Sequence, residues 1–133
     1  MPSGQGDQHR SWRRKFTDAF RGLSRGIRGQ SSFAVHLPAA VAVVAAALVL
    51  GVPRRDLALL ALAVGGVLVA ELVNSAIESL VRAPGVPRHP RIRDALDIAS
   101  AAVLVAAGTA VVVGGLVFGP PLWRILDSLP AGR

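Results

Sequence analysis

Residues 57–81 read LALLALAVGGVLVAELVNSAIESLV, and this stretch decides the fold. It is apolar without interruption from Leu57 to Ala70 and keeps helical patterning to Val81. At 1.5 Å per residue a helix over 57–81 is roughly 37 Å long, enough to cross a hydrocarbon core of roughly 30 Å with some tilt. No polar stripe runs along its first half, so water is not its solvent. The final turns then carry Glu71, Asn74 and Glu78, spaced i, i+3 and i+7 on one helical face.

Two further apolar runs flank it. The upstream run predicts a transmembrane helix over 34–52, ended by Pro53-Arg54-Arg55-Asp56. The downstream run predicts another over 97–118, opened by Asp97 and stopped by Gly119-Pro120-Pro121. Small residues such as Ala39, Ala40, Gly65, Gly66, Ala101 and Gly108 recur in all three and favour close helix contact in lipid. Ahead of them, Trp12, Phe16, Ala19, Phe20, Leu23 and Ile27 recur at intervals of three and four, with Arg13, Arg14, Arg21, Arg25 and Arg28 mostly off that face. That pattern predicts an amphipathic helix over 12–30 lying in the membrane surface. Residues 1–11 are polar and Gly/Ser/Gln-rich, predicted disordered, and 119–133 form a C-terminal tail.

The sequence-level fold class is therefore an all-α membrane protein: one N-terminal surface helix plus three transmembrane helices, in a single domain. Three helices bury little alone, so a homo-oligomer is expected. Across 133 residues, 52% hydrophobic with no cysteine, disulfide scaffolds, Cys-based zinc sites and cysteine nucleophiles are excluded. The first 36 residues are polar and basic without an apolar core of signal-peptide type, which argues against a secreted soluble protein.

Charge sets the expected orientation. Seven Lys/Arg precede the first span (Arg10, Arg13, Arg14, Lys15, Arg21, Arg25, Arg28), and Arg82, Arg88, Arg91 and Arg93 lie between the second and third. These segments share a side in a three-span protein and hold eleven of the fifteen basic residues. The positive-inside rule makes them cytoplasmic, in a multi-pass protein of the inner or cell membrane. The net charge of +7 then reflects topology and anionic lipid, with no nucleic acid as partner.

Carboxylates inside a span cost about 2.5–3.5 kcal/mol each at mid-helix, so Glu71 and Glu78 need a partner, water or a metal. Two carboxylates and an amide near a headgroup layer suit an oxygen-ligated divalent cation, most naturally Mg²⁺. Nearby arginines suit phosphate, and the combination points to phosphoryl transfer. The structural alternative pairs Glu71 and Glu78 with Arg82 or with neighbouring helices. His36 and His89 could ligate metal, but lone interfacial histidines are more often structural or solvated.

Glu71-Leu72-Val73-Asn74-Ser75-Ala76-Ile77-Glu78 resembles the E-x-x-N-[ST]-A-[IL]-E signature of the small prokaryotic diacylglycerol kinase and undecaprenol kinase family. Ala19-Phe20-Arg21-Gly22-Leu23, His36, and His89-Pro90 followed by Asp97 and Ala101-Ala102-Val103-Leu104 resemble its flanking segments, so that residues 12–118 form a lipid-kinase-like membrane domain. The resemblance implies a homotrimer that transfers the γ-phosphate of ATP, with Mg²⁺, to a membrane lipid alcohol. It implies Glu71 as general base, Asn74 as shaping the site, Glu78 as metal ligand and Asp97 at the nucleotide end. Arg21 and Arg93 are counted with the substrate- and nucleotide-binding residues, and Gln30 with the metal ligands.

The chain departs from the family pattern at three positions. Gln30 stands where a metal-binding Glu is usual, Leu96 replaces the Lys before Asp97, and Arg82 replaces an Asp after the signature. Glutamine offers Mg²⁺ a neutral oxygen without charge. Two classes follow: an active lipid kinase, or a catalytically impaired relative that binds lipid or a partner. A channel lined by Glu71 is a weaker third, because one carboxylate per subunit is a poor relay.

Overall fold

The computed structural model of the chain describes residues 12–29, 33–87 and 89–129, and its regular structure is entirely helical. Four helices follow in order: α1 (Trp12–Gly29), α2 (Phe33–Val49), α3 (Arg54–Val81) and α4 (Pro90–Ser128). Residues 1–11 and Gln30 lie outside the described residues.

α1 follows the predicted surface helix closely. It leaves Trp12, Phe16 and Phe20 each more than 60% exposed, as a helix whose apolar face meets lipid rather than protein. The Trp12 and Phe16 rings sit 6.5 Å apart, with Lys15 Nζ 4.8 Å from the Trp12 ring centre. The axes of α1 and α2 lie at 104° to each other. α1 reaches α3 at Gly26, on the border of that apolar face, where an added Cβ would stand 2.7 Å from Leu72 Cδ2. Only a residue without a side chain allows that approach undisturbed.

α2 and α3 form a helical hairpin. Gly51, at φ +63°, turns the chain in the left-handed region, and the Val52 N–H reaches back to the Ala47 carbonyl at 3.0 Å. Pro53 then caps α3, with Asp56 in its first turn complementing the helix dipole. α4 packs chiefly along α3. The small core joins all three at the hairpin end, with Ala47, Val52, Leu60 and Val117 buried together.

Most other apolar side chains stay exposed, among them Leu62, Leu104 and Val111. Water would not tolerate that surface and lipid does. α3 and α4 are long and apolar enough to cross a membrane. α2, at 17 residues, reaches about 25 Å and is the third apolar segment. The chain is a membrane protein.

The helix limits correct three expectations. α2 ends at Val49 rather than 52, because the Gly51 turn already closes the last carbonyls. α4 begins at Pro90, seven residues before the predicted 97. His89 caps it, its Nδ1 accepting from the Arg91 N–H at 3.2 Å, and Pro90 takes the first turn, where a missing N–H costs nothing. Asp97 therefore lies inside the helix instead of opening it. α4 also continues through Pro120 and Pro121 to Ser128. The two prolines remove the donors that the Leu116 and Val117 carbonyls would use and their rings crowd those carbonyls, a cost that a helix end near headgroups and water tolerates better than mid-membrane. Most of the predicted tail, residues 119–128, is thus helix.

Candidate active site

The buried polar residues among the described ones all fall in one short stretch of α3: Glu71, Asn74 and Ser75. A helix in lipid satisfies its own backbone, so these side chains must find partners laterally. Glu71 is 2% exposed, and its Oε1 lies 2.9 Å from His36 Nε2 in the first turns of α2. Its Oε2 is buried with no hydrogen-bond partner among the described residues. One turn on, Asn74 Nδ2 donates to Glu78 Oε1 at 3.0 Å, while Asn74 Oδ1 is left unpartnered. Arg82 donates to Glu78 Oε2 at 2.9 Å from the helix end.

The result is a chain of polar groups running up one face of α3 from the interior to the surface: His36–Glu71, then Asn74–Glu78–Arg82. Buried acceptors without donors are costly, on the order of 1–3 kcal/mol each, and native proteins keep few. Here Glu71 Oε2 and Asn74 Oδ1 come within one turn of each other in sequence. Such a pair of free oxygens is what a hydroxyl donor or a cation would occupy.

Of the sequence-derived site residues, the structure brings Glu71, Asn74 and Glu78 together. It does not bring Asp97 to them within one chain. Asp97 is exposed on α4, and the α4 residues that line the 200 Å³ cleft beside Glu78 and Arg82 are Leu96 and Ser100. Arg93 lines a separate groove between the α3–α4 connection and α4, with Val86, Pro87 and Leu96. Arg21 is exposed on α1, 3.6 Å from Asp18. The structural alternative for Glu78, a pair with Arg82, is present as a hydrogen-bonded ion pair.

His36 is the partner of Glu71 that the sequence does not name. A lone histidine at a span entrance carries no local signal of its partner. Hairpin arithmetic holds the clue: His36 lies 13 residues before the end of α2 and Glu71 17 residues after the start of α3. Antiparallel helices joined by a tight turn place such positions within about one turn of the same depth.

The donor set fits a hard cation in chemistry, being a carboxylate and an amide oxygen, the ligand types Mg²⁺ takes. No cluster of three His, Cys, Asp or Glu side chains able to hold a metal occurs among the described residues. A Mg²⁺ there would draw its remaining ligands from phosphate and water, as this ion commonly does.

The chain is similar to known proteins along most of its length. The family model for prokaryotic diacylglycerol kinase matches residues 17–118. The chain is 38% identical over 112 residues to a diacylglycerol kinase of Synechocystis sp., a match covering 84% of this chain and 64% of that longer relative. It is 32% identical over 109 residues to an undecaprenol kinase of Bacillus subtilis, covering 82% of this chain and 89% of the relative. A diacylglycerol kinase of Pseudomonas aeruginosa is 35% identical over 85 residues, 64% of this chain and 69% of the relative. No solved structure gives a significant match. On the family match across most of its length, the chain belongs to the prokaryotic diacylglycerol kinase family.

Proposed function

We propose that the protein is a lipid kinase that transfers the γ-phosphate of ATP to the hydroxyl of a membrane lipid, diacylglycerol or undecaprenol. The observation that carries this reading is the buried Glu71 carboxylate, held at one oxygen by His36 and free at the other. An apolar groove of about 340 Å³ between α2, α3 and α4 starts at His36 and is walled by Ala39, Val43, Leu68, Ala107 and Val111. A lipid chain lying in that groove brings its headgroup hydroxyl to the His36–Glu71 end.

The chemistry is a single in-line displacement. Glu71 Oε2 accepts the proton of the lipid hydroxyl, whose oxygen forms a bond to the γ-phosphorus as the bond to the β–γ bridging oxygen breaks. ADP leaves with that electron pair, and the lipid becomes a phosphomonoester. His36 fixes the orientation of the carboxylate, so that Oε2 is the oxygen presented. Glu78 and the Asn74 amide oxygen would hold Mg²⁺, which when bound neutralises charge on the phosphates of ATP. Arg93 and Arg21 supply cationic groups for the nucleotide side. Asp97 reaches such a site from a second copy, consistent with a homotrimer whose exposed small-residue helix faces pack together. The N-terminus and the α3–α4 connection lie on the cytoplasmic side by their charge.

The competing reading is a catalytically impaired relative that binds lipid or a partner. It is favoured by one contact, since Arg82 occupies the Glu78 oxygen that a metal would need. Phosphate transfer from radiolabelled ATP separates the two. The purified protein in mixed micelles would receive diacylglycerol or undecaprenol, with and without Mg²⁺, beside Glu71→Gln. Mg²⁺-dependent transfer lost in that variant supports the kinase. A well-folded protein that labels neither lipid is the impaired relative.

A further inference from the structure

A second cleft, of about 220 Å³, lies between α1 and α3 and is not needed by the phosphoryl-transfer reading. Its walls carry Arg25 from α1 and Ser75, Ser79 and Arg82 from α3, and no lining residue is acidic. Ser75 is 4% exposed, and its hydroxyl is buried with no hydrogen-bond partner. A helical serine can return its hydroxyl to a backbone carbonyl one turn back, and Ser75 makes no such bond. Arg25 forms no ion pair among the described residues, and Arg82 spends one N–H on Glu78 and keeps the others free.

Two guanidinium groups and an unsatisfied buried hydroxyl, with no carboxylate in the lining, make a set of donors looking for one multivalent acceptor. A phosphomonoester dianion, with three terminal oxygens, matches it in charge and geometry. We infer that the α1–α3 cleft of Arg25, Ser75, Ser79 and Arg82 is a binding site for a phosphomonoester group. α1 lies at the membrane surface, so the group can arrive on a lipid whose chains enter the bilayer or as free phosphate from water. If the kinase reading holds, the phosphorylated lipid itself is the natural occupant, since either product is a phosphomonoester. The site itself does not depend on that reading.

Binding to the purified protein in neutral detergent micelles tests this by ³¹P NMR titration. The probes are phosphatidic acid, inorganic phosphate and, as a phosphodiester control, phosphatidylcholine. Two variants address the cleft directly. Arg25→Gln removes an exposed charge that holds no structural partner. Gly22→Leu adds bulk on a cleft wall where an added Cβ meets nothing within 4 Å.

Saturable binding of phosphatidic acid, weakened about tenfold or more in each variant and absent for phosphatidylcholine, is the expected result. Binding of inorganic phosphate alone, with the same sensitivity, keeps the site and assigns it to a soluble source. Wild-type affinity for both probes in both variants, or no saturable binding of either, overturns the proposal. Because the readout is binding, a protein that binds phosphatidic acid through Arg25 but labels no lipid keeps the site and loses the kinase.

Discussion

The His36–Glu71 contact carries the site, and a double-mutant cycle measures it. His36→Ala deletes the one partner, among the described residues, of a carboxylate that is 2% exposed. Glu71 is then left buried with both oxygens unsatisfied, since Oε2 already has no donor. Leaving one buried polar group unmade costs about 1–3 kcal/mol, more for a charged one. Glu71→Leu replaces the carboxylate with an apolar side chain and so removes both acceptors from the other end of the contact. The coupling energy across the cycle is therefore expected at about 1–3 kcal/mol, read as unfolding free energy in mixed micelles. His36→Gln, which retains a donor at similar reach, recovers part of the loss. The same variants have a second readout in turnover. If His36 orients the base, His36→Ala lowers kcat by about tenfold to a hundredfold with little change in the KM for ATP. Strict additivity, within about 0.5 kcal/mol, together with unchanged kcat, would show that the two side chains are neighbours without consequence.

Further expected outcomes are as follows. Glu71→Gln lowers phosphate transfer by about a hundredfold to ten-thousandfold, the usual contribution of a general base, while size-exclusion behaviour in detergent stays unchanged; residual activity above a tenth of wild type removes Glu71 from the proton transfer. Arg82→Gln frees Glu78 Oε2 from an exposed pair worth about 0–1 kcal/mol, so the Mg²⁺ concentration for half-maximal transfer falls by up to about fivefold, and a rise in that concentration would refute competition between Arg82 and metal. Gly26→Ala presses only on the mobile end of Leu72 and regains helix propensity of about 1 kcal/mol, so stability is expected nearly unchanged. Gly26→Leu overpacks the same contact by about 1–3 kcal/mol, and spin labels on α1 and α3 would report the helices parting. Equal label distances in both variants would place α1 elsewhere.

Much of this protein is legible without its tertiary structure, because lipid makes strong local demands. A run such as Leu57 to Ala70 has no stable alternative to a spanning helix, and the Trp12–Ile27 periodicity fixes which side of α1 meets the bilayer. The face shared by Glu71, Asn74 and Glu78 follows from 3.6 residues per turn alone. Helix limits were less legible. Hydropathy marks where lipid contact ends, whereas the helix ends where backbone donors and acceptors are satisfied, so α4 starts at its His89 cap and runs past Pro120.

What tertiary structure alone decided is who faces whom. The meeting of His36 with Glu71 needs the register of the α2–α3 hairpin, set by the Gly51 turn and by the core of Ala47, Val52, Leu60 and Val117. The α1–α3 cleft exists because Gly26 lets α1 approach Leu72, leaving Arg25 and Arg82 to wall a common space. Asp97, by contrast, is exposed on α4. Composition and period determine each helix and its solvent, since those are properties of a few consecutive residues. Pairings between helices depend on the packing distance and relative depth of segments far apart in sequence, and only the folded chain specifies those.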